Sequence, residues 1–262
     1  MMTVPSAPSS APSSEPSQAS TTHLALEIAS HPVSKPRTKS WATYFAQNTK
    51  RWQQFADGVN FQTIELKPVF IESIKTFQLG EQSEGRTLKA LAEQYSIHHN
   101  DPDYLVAIQQ FIAEEQRHAT YLAQALQANE SETFSQQWSD GLFRKLRQLC
   151  GWEMMISVLL TAEVIAITYY SSLVQASSEP QAKQLFERIL QDEAIHLQFH
   201  GEYLCHARSR NGAIRWQGHR LFLFMVATLV WCEHRHILKC NFSSFVSFAK
   251  RCDTLLMNLT AL

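Results

Sequence analysis

A chain of 262 residues, 45% hydrophobic and 18% charged, can bury one sizeable core, which argues against wholesale disorder. Its formal net charge of -1 and pI near 6.8 give no basic field of the kind that tight binding to phosphate backbones needs, so no nucleic-acid partner is expected. The five cysteines, Cys150, Cys205, Cys232, Cys240 and Cys252, are odd in number and contain no Cys-x-x-Cys pair, which excludes a zinc ribbon or rubredoxin-type centre.

Residues 1 to about 36 are dominated by Ser, Pro and Ala, with Pro5, Pro8, Pro12 and Pro16 each interrupting any helix, and read as a disordered tail. From Trp41 the composition changes. Trp41, Tyr44, Phe45, Trp52 and Phe55 recur at helical spacing and predict a short helix lying across a larger helical domain over residues 37–262, with a packing role. Pro68 marks the start of a helix expected over about 67–96. The His98-His99-Asn100 break and Asp101-Pro102, an N-cap followed by proline at N1, predict a second helix from 101 into the 120s, antiparallel to the first.

A polar stretch over about 128–140 provides a crossover, after which the plan repeats: a helix over about 149–176, a Ser177-Ser178-Glu179-Pro180 break, and a helix to about 207. A fifth helix over about 213–238 and a short tail from Phe242 complete an all-α chain without hairpin signals. The four longest helices form a bundle core over about 67–207.

The stretch from Met154 to Val174 has the length of a membrane span but carries Glu163. A carboxylate at mid-span costs roughly 2.5 to 3.5 kcal/mol on insertion scales, so a central bundle helix, apolar all round, is expected instead. The apolar run from Leu221 to Cys232 is too short to span. No signal-like apolar stretch stands near the N-terminus, and the leader is poor in arginine for a transit peptide; a cytoplasmic protein with reduced, mostly buried thiols and no membrane span is expected.

Three Glu-x-x-His matches occur, at Glu115/His118, Glu193/His196 and Glu233/His236. At this content of glutamate and histidine an accidental match is unremarkable, so context has to separate them. Residues three apart share one helix face, where a carboxylate and an imidazole can ligate the same small cluster. A two-metal site in a bundle takes one Glu from each of two helices and one Glu-x-x-His from each of the other two.

Glu84 lies 31 residues before Glu115, and Glu163 lies 30 before Glu193, intervals that return an antiparallel hairpin to the same level. Glu81, on the same inward stripe as Glu84, is an alternative or additional ligand. The candidate metal ligands are therefore Glu84, Glu115, His118, Glu163, Glu193 and His196, with Glu81 beside them. Glu114 and Asp192, each preceding a ligand glutamate, are candidates to orient the histidines.

The third motif lacks a partner in register: Glu202, nine residues after Glu193, faces about 180° away at 3.6 residues per turn. His219, His234 and His236 are accordingly read as structural. His200, four residues after His196, reads as supporting or water-facing, and Tyr121, Tyr169, Tyr170 and Tyr203 as core aromatics near the site.

With Glu84, Glu163 and the motifs at 115 and 193, residues 67–207 resemble the ferritin-like di-iron carboxylate superfamily. The string Phe77-Gln78-Leu79-Gly80-Glu81-Gln82-Ser83-Glu84-Gly85 is similar to the first helix of bacterial ferritin-like domain proteins of undefined activity. The resemblance implies a ferritin-like bundle binding two iron ions, or manganese, or one of each, with oxygen or peroxide as reactant.

The expected function is an oxidoreductase in which two metals share the electrons needed to cleave an O–O bond, oxidising or hydroxylating an organic substrate. The apolar 154–174 helix offers a wall for an apolar small molecule, and electrons must come from an external donor. The alternatives are an iron-handling ferroxidase, a rubrerythrin-like peroxidase and a non-catalytic helical scaffold.

Overall fold

The computed structural model describes residues 40–82, 85–134, 151–208 and 212–259. The Ser/Pro/Ala-rich tail and the crossover from residue 135 onward lie outside these residues. Helix α1 (Trp41–Gly58) starts at Ser40, whose hydroxyl accepts the Thr43 N–H, and buries Phe45, Asn48 and Trp52 along one stripe. A 3₁₀ turn (Phe61–Thr63) follows, and Phe61 stacks on Tyr121 at 4.5 Å between ring centroids.

The first bundle helix, expected as one rod over about 67–96, is two helices: α2 (Pro68–Glu81) and α3 (Arg86–His99). Gly85 breaks it with a left-handed φ of 63°. A Cβ there would stand 2.6 Å from the Ile112 side chain, so the backbone passes too close to the next helix for any other residue.

The second helix, α4 (Pro102–Ala128), begins as its N-cap predicts: the Asp101 side chain accepts the Tyr104 N–H and Pro102 occupies the first turn. Asn100, at φ 52°, turns the chain between α3 and α4. The second hairpin joins α5 (Trp152–Ala176) to α6 (Pro180–Ala207), where the Glu179 carboxylate accepts the N–H groups of Gln181 and Ala182. Lys67 reaches the free Ala176 carbonyl at the end of α5, satisfying one of the acceptors that a helix C-terminus leaves open.

The interrupted α2/α3 rod, α4, α5 and α6 make a four-helix bundle of ferritin-like type, with α1 lying across α4 and α6. Helix α5 is the central strut: 83% of its most apolar stretch is buried inside the protein, so its composition reflects core packing. Helix α7 (Gly212–Leu238) packs on α5 and leaves Leu221, Phe224, Met225 and Leu229 exposed. The Leu221–Cys232 run, expected to be too short to span, belongs to this 27-residue helix, which is long and apolar enough to cross a membrane by length and composition.

The tail from Phe242 also differs from expectation, because Phe245–Leu259 forms a further helix, α8, that buries Phe248, Cys252, Leu255, Leu256 and Leu259. Gly201 on α6 admits it. The Leu259 side chain lies 2.8 Å from where a Cβ at that position would stand.

Candidate metal centre

The helix geometry brings the two sequence motifs face to face. Glu115 and His118 project from α4, Glu193 and His196 from α6, Glu163 from α5 and Glu81 from the last residue of α2. Their donor atoms form two overlapping groups, Glu81-Glu115-His118-Glu193 and Glu163-Glu193-His196, each with all its atoms within 4.8 Å of one another.

Glu193 belongs to both groups, placing Oε1 3.2 Å from His118 Nδ1 and Oε2 3.5 Å from His196 Nδ1. Glu115 also spans them, with Oε1 3.0 Å from His196 Nδ1 and 3.8 Å from His118 Nδ1. Glu81 and Glu163 close the two ends, 4.0 Å from His118 Nδ1 and 3.8 Å from His196 Nδ1 respectively. Glu84, the other first-helix candidate, lies outside the described residues. Glu81 occupies the end of the cluster next to His118, and its Oε1 accepts a hydrogen bond from Tyr170 at 2.8 Å.

Both histidines turn Nδ1 inward and give Nε2 to a carboxylate on the opposite helix. His118 Nε2 lies 3.1 Å from Asp192 Oδ2, and His196 Nε2 lies 3.1 Å from Glu114 Oε2. The two acidic residues singled out in the sequence thus cross over: α4 orients the histidine of α6, and α6 orients that of α4. This fixes tautomer and ring plane together, leaving each Nδ1 as a lone pair facing the centre.

Helix α1, expected only to pack, does more. The Asn48 side-chain amide donates to Glu114 Oε1 at 2.6 Å and to Asp192 Oδ1 at 2.7 Å, while its oxygen accepts from Arg188 at 2.6 Å. Two acceptors and one donor around one amide fix its orientation. The Trp52 indole N–H donates to Asp192 Oδ2, and Arg188 adds a 2.8 Å bond to Asp192 Oδ1. Sequence reasoning passed over Asn48 and Arg188 and gave Trp52 a packing role alone. A usable signal was present, since Asn48 is a polar residue on the otherwise aromatic stripe of Phe45 and Trp52.

Buried charge decides what the cluster can hold. Burial, then the neighbouring Glu115 and Glu193, push the Glu81 carboxyl well above its usual range; burial, then Glu193 and Glu115, do the same to Glu163. Burial opposes charge on His118 and His196 as well, yet the surrounding carboxylates raise both. Glu193 is held low against burial by the adjacent His118 and His196 imidazoles, and Asp192 against burial by His118 and Arg188. Protons therefore neutralise this centre when nothing else does. Cations meet the same demand better, because five buried atoms of the cluster and of the adjoining His200 have no hydrogen-bond partner: Glu115 Oε1, His118 Nδ1, Glu193 Oε1, His196 Nδ1 and His200 Nε2. The donor set of carboxylate oxygen and imidazole nitrogen fits iron, manganese or zinc.

The third motif stays apart: His236 is exposed, with its ring 6.4 Å from that of Phe70. His234 bonds to Ser73, and His219 to Thr161 and Arg208; both are buried and structural, as expected. Glu202 accepts from the Trp41 indole on the far side of α6.

The model of the Rubrerythrin family matches residues 72–204, just over half of the chain, and spans every described donor of the cluster. The chain belongs to the rubrerythrin family. No curated protein and no solved structure gives a significant match. Outside the matched residues lie α1, which braces Glu114 and Asp192, and the α7–α8 pair packed against α5.

Proposed function

We propose that this rubrerythrin-family chain is a di-metal oxidoreductase holding two iron ions, or manganese in one or both places, and using oxygen or peroxide to oxidise an organic substrate. The observation that carries the proposal is the convergence of unpartnered, buried oxygen and nitrogen donors from α4 and α6 with Glu81 and Glu163 at either end. Glu81, Glu115 and His118 would hold one ion and Glu163 and His196 the other, with Glu193 between them. When bound, the metal pair supplies the electrons that reduce the O–O bond.

The residues of the chain set the conditions for that chemistry. Glu114 and Asp192 keep the histidines aimed, and Phe45, Trp52 and Phe111 pack against their rings, so the centre is dry on the sides facing α1 and α4. Burial and Glu81 hold the Tyr170 phenol protonated, so it can keep a hydrogen bond on Glu81 while charge at the centre changes. Ile156, Leu160, Val164 and Ile167 of α5 give the surroundings of Glu163 an apolar character that suits an apolar small molecule. Electrons would come from an external donor, because the chain has no Cys-x-x-Cys pair. Two exposed free thiols, Cys232 and Cys240, fit a reducing cytoplasm.

Peroxide reduction of the rubrerythrin kind is the second reading, favoured by family membership. Stopped-flow mixing of the reduced, iron-loaded protein with oxygen or with peroxide separates the two. Rapid oxidation by oxygen that a library of apolar substrates accelerates supports the proposal. Oxidation by peroxide alone, indifferent to substrate, supports the second reading, and indifference to both oxidants refutes the pair.

A further inference from the structure

His200 is a buried imidazole beside the centre that the ligand set above does not use. It stands one turn beyond His196 on α6, is 1% exposed, and packs its ring edge-on against Phe111 at 4.6 Å and 87°. Its Nε2 has no hydrogen-bond partner and lies 3.8 Å from Glu163 Oε1. That separation is too long for a hydrogen bond. It is within the limit of about 4.2 Å for two donors on opposite sides of one ion at about 2.1 Å each.

Glu163 therefore presents one oxygen to each imidazole, Oε2 to His196 and Oε1 to His200, both at 3.8 Å. Helix α4 offers no counterpart at the equivalent position, because the residue one turn beyond His118 is Leu122, fully buried in the core. We propose that His200 is a third imidazole ligand, binding through Nε2 the ion held by Glu163, Glu193 and His196, so that the two ions have unequal donor sets. The inference rests on the di-metal reading.

One ion then has two nitrogens and the other a single nitrogen among carboxylates. Imidazole suits iron, cobalt and zinc, and carboxylate suits manganese, so the His200 side selects iron over manganese more strongly than the Glu81 side.

Cobalt(II) titration of the full chain tests this, comparing the parent protein with His200→Gln and His200→Ala. The parent binds two ions. His200→Gln keeps one at unchanged affinity and binds the second at least tenfold more weakly, and free imidazole restores the second site in His200→Ala. Proton NMR of the parent loaded with cobalt shows three hyperfine-shifted, solvent-exchangeable imidazole N–H signals, a count that needs no variant to fold. Two such signals, with two ions bound at unchanged affinity in His200→Gln, overturn the role of His200 and leave the di-metal reading standing. A parent chain that binds no cobalt overturns both.

Discussion

Replacing Asn48 with alanine removes one side chain from a helix that carries none of the candidate ligands, yet it should weaken both the fold and the centre. The amide is 1% exposed and makes three bonds, donating to Glu114 and Asp192 and accepting from Arg188. Hydrogen bonds to charged groups contribute about 1.5 to 3 kcal/mol each, and a buried partner left unpaired costs about 1 to 3 kcal/mol. Glu114 keeps His196 and a long 3.4 Å contact with Arg117, while Asp192 keeps Trp52, Arg188 and His118, which offsets part of the loss. If the retained bonds leave one charge-assisted bond and one unpaired partner uncompensated, the net destabilisation is about 2.5 to 6 kcal/mol. Because Glu114 and Asp192 orient both inward nitrogens, metal affinity should also fall about 10- to 100-fold. Urea denaturation of the apoprotein measures the first effect and a metal titration the second, with Lys50→Ala, exposed on the same helix, as control. Loss of less than 1 kcal/mol together with unchanged affinity would show that the bridge does not support the centre.

Other perturbations act through different causes. Gly85→Ala forces a side chain into a left-handed backbone and into Ile112, so thermal unfolding should show a loss of about 1 to 3 kcal/mol; an unchanged melting temperature would contradict the packing described at the break. Above the ordinary histidine value of 6.5, the raised pKa values of Glu81, Glu163, His118 and His196 mean that the folded apoprotein binds protons which the unfolded chain has released. Their contribution is full below the unfolded values and is lost as pH rises through the folded ones, so apoprotein stability should fall between pH 6.5 and 8.5. His200, His219 and His234 are lowered, the first two to about 3 and the last to about 4, so they are neutral in the folded state across that window, and their opposing contribution ends as the unfolded histidines lose their protons just above pH 6.5. Metal loading displaces the protons and should flatten the profile; equal slopes with and without metal would refute this.

The bundle was legible in the sequence because its signals are local. Asp101-Pro102 and Glu179-Pro180 cap two of the helices that carry the site, and the interval from Glu163 to Glu193 anticipated which levels of α5 and α6 would meet. The break at Gly85 was hidden because it depends on a contact with Ile112, 27 positions away. Helix α8 was missed for a similar reason: the Phe242 tail gains its buried face only against α5, α6 and α7. The crossed pairing of Glu114 with His196 and Asp192 with His118 is likewise a property of two helices together, though the acidic identity of both residues was visible beforehand. Asn48 and Arg188 form their network over 140 positions, a range at which spacing arguments say nothing.

The central claim is that these side chains form a two-metal centre, and the most direct test is metal content by mass spectrometry on protein purified from iron-supplemented cells, beside a Glu115→Ala, Glu193→Ala double variant. The account predicts about two iron or manganese ions per chain, as the two overlapping donor groups require, and their loss in a double variant that remains helical. A folded parent chain without metal, or equal metal in both proteins, would contradict it.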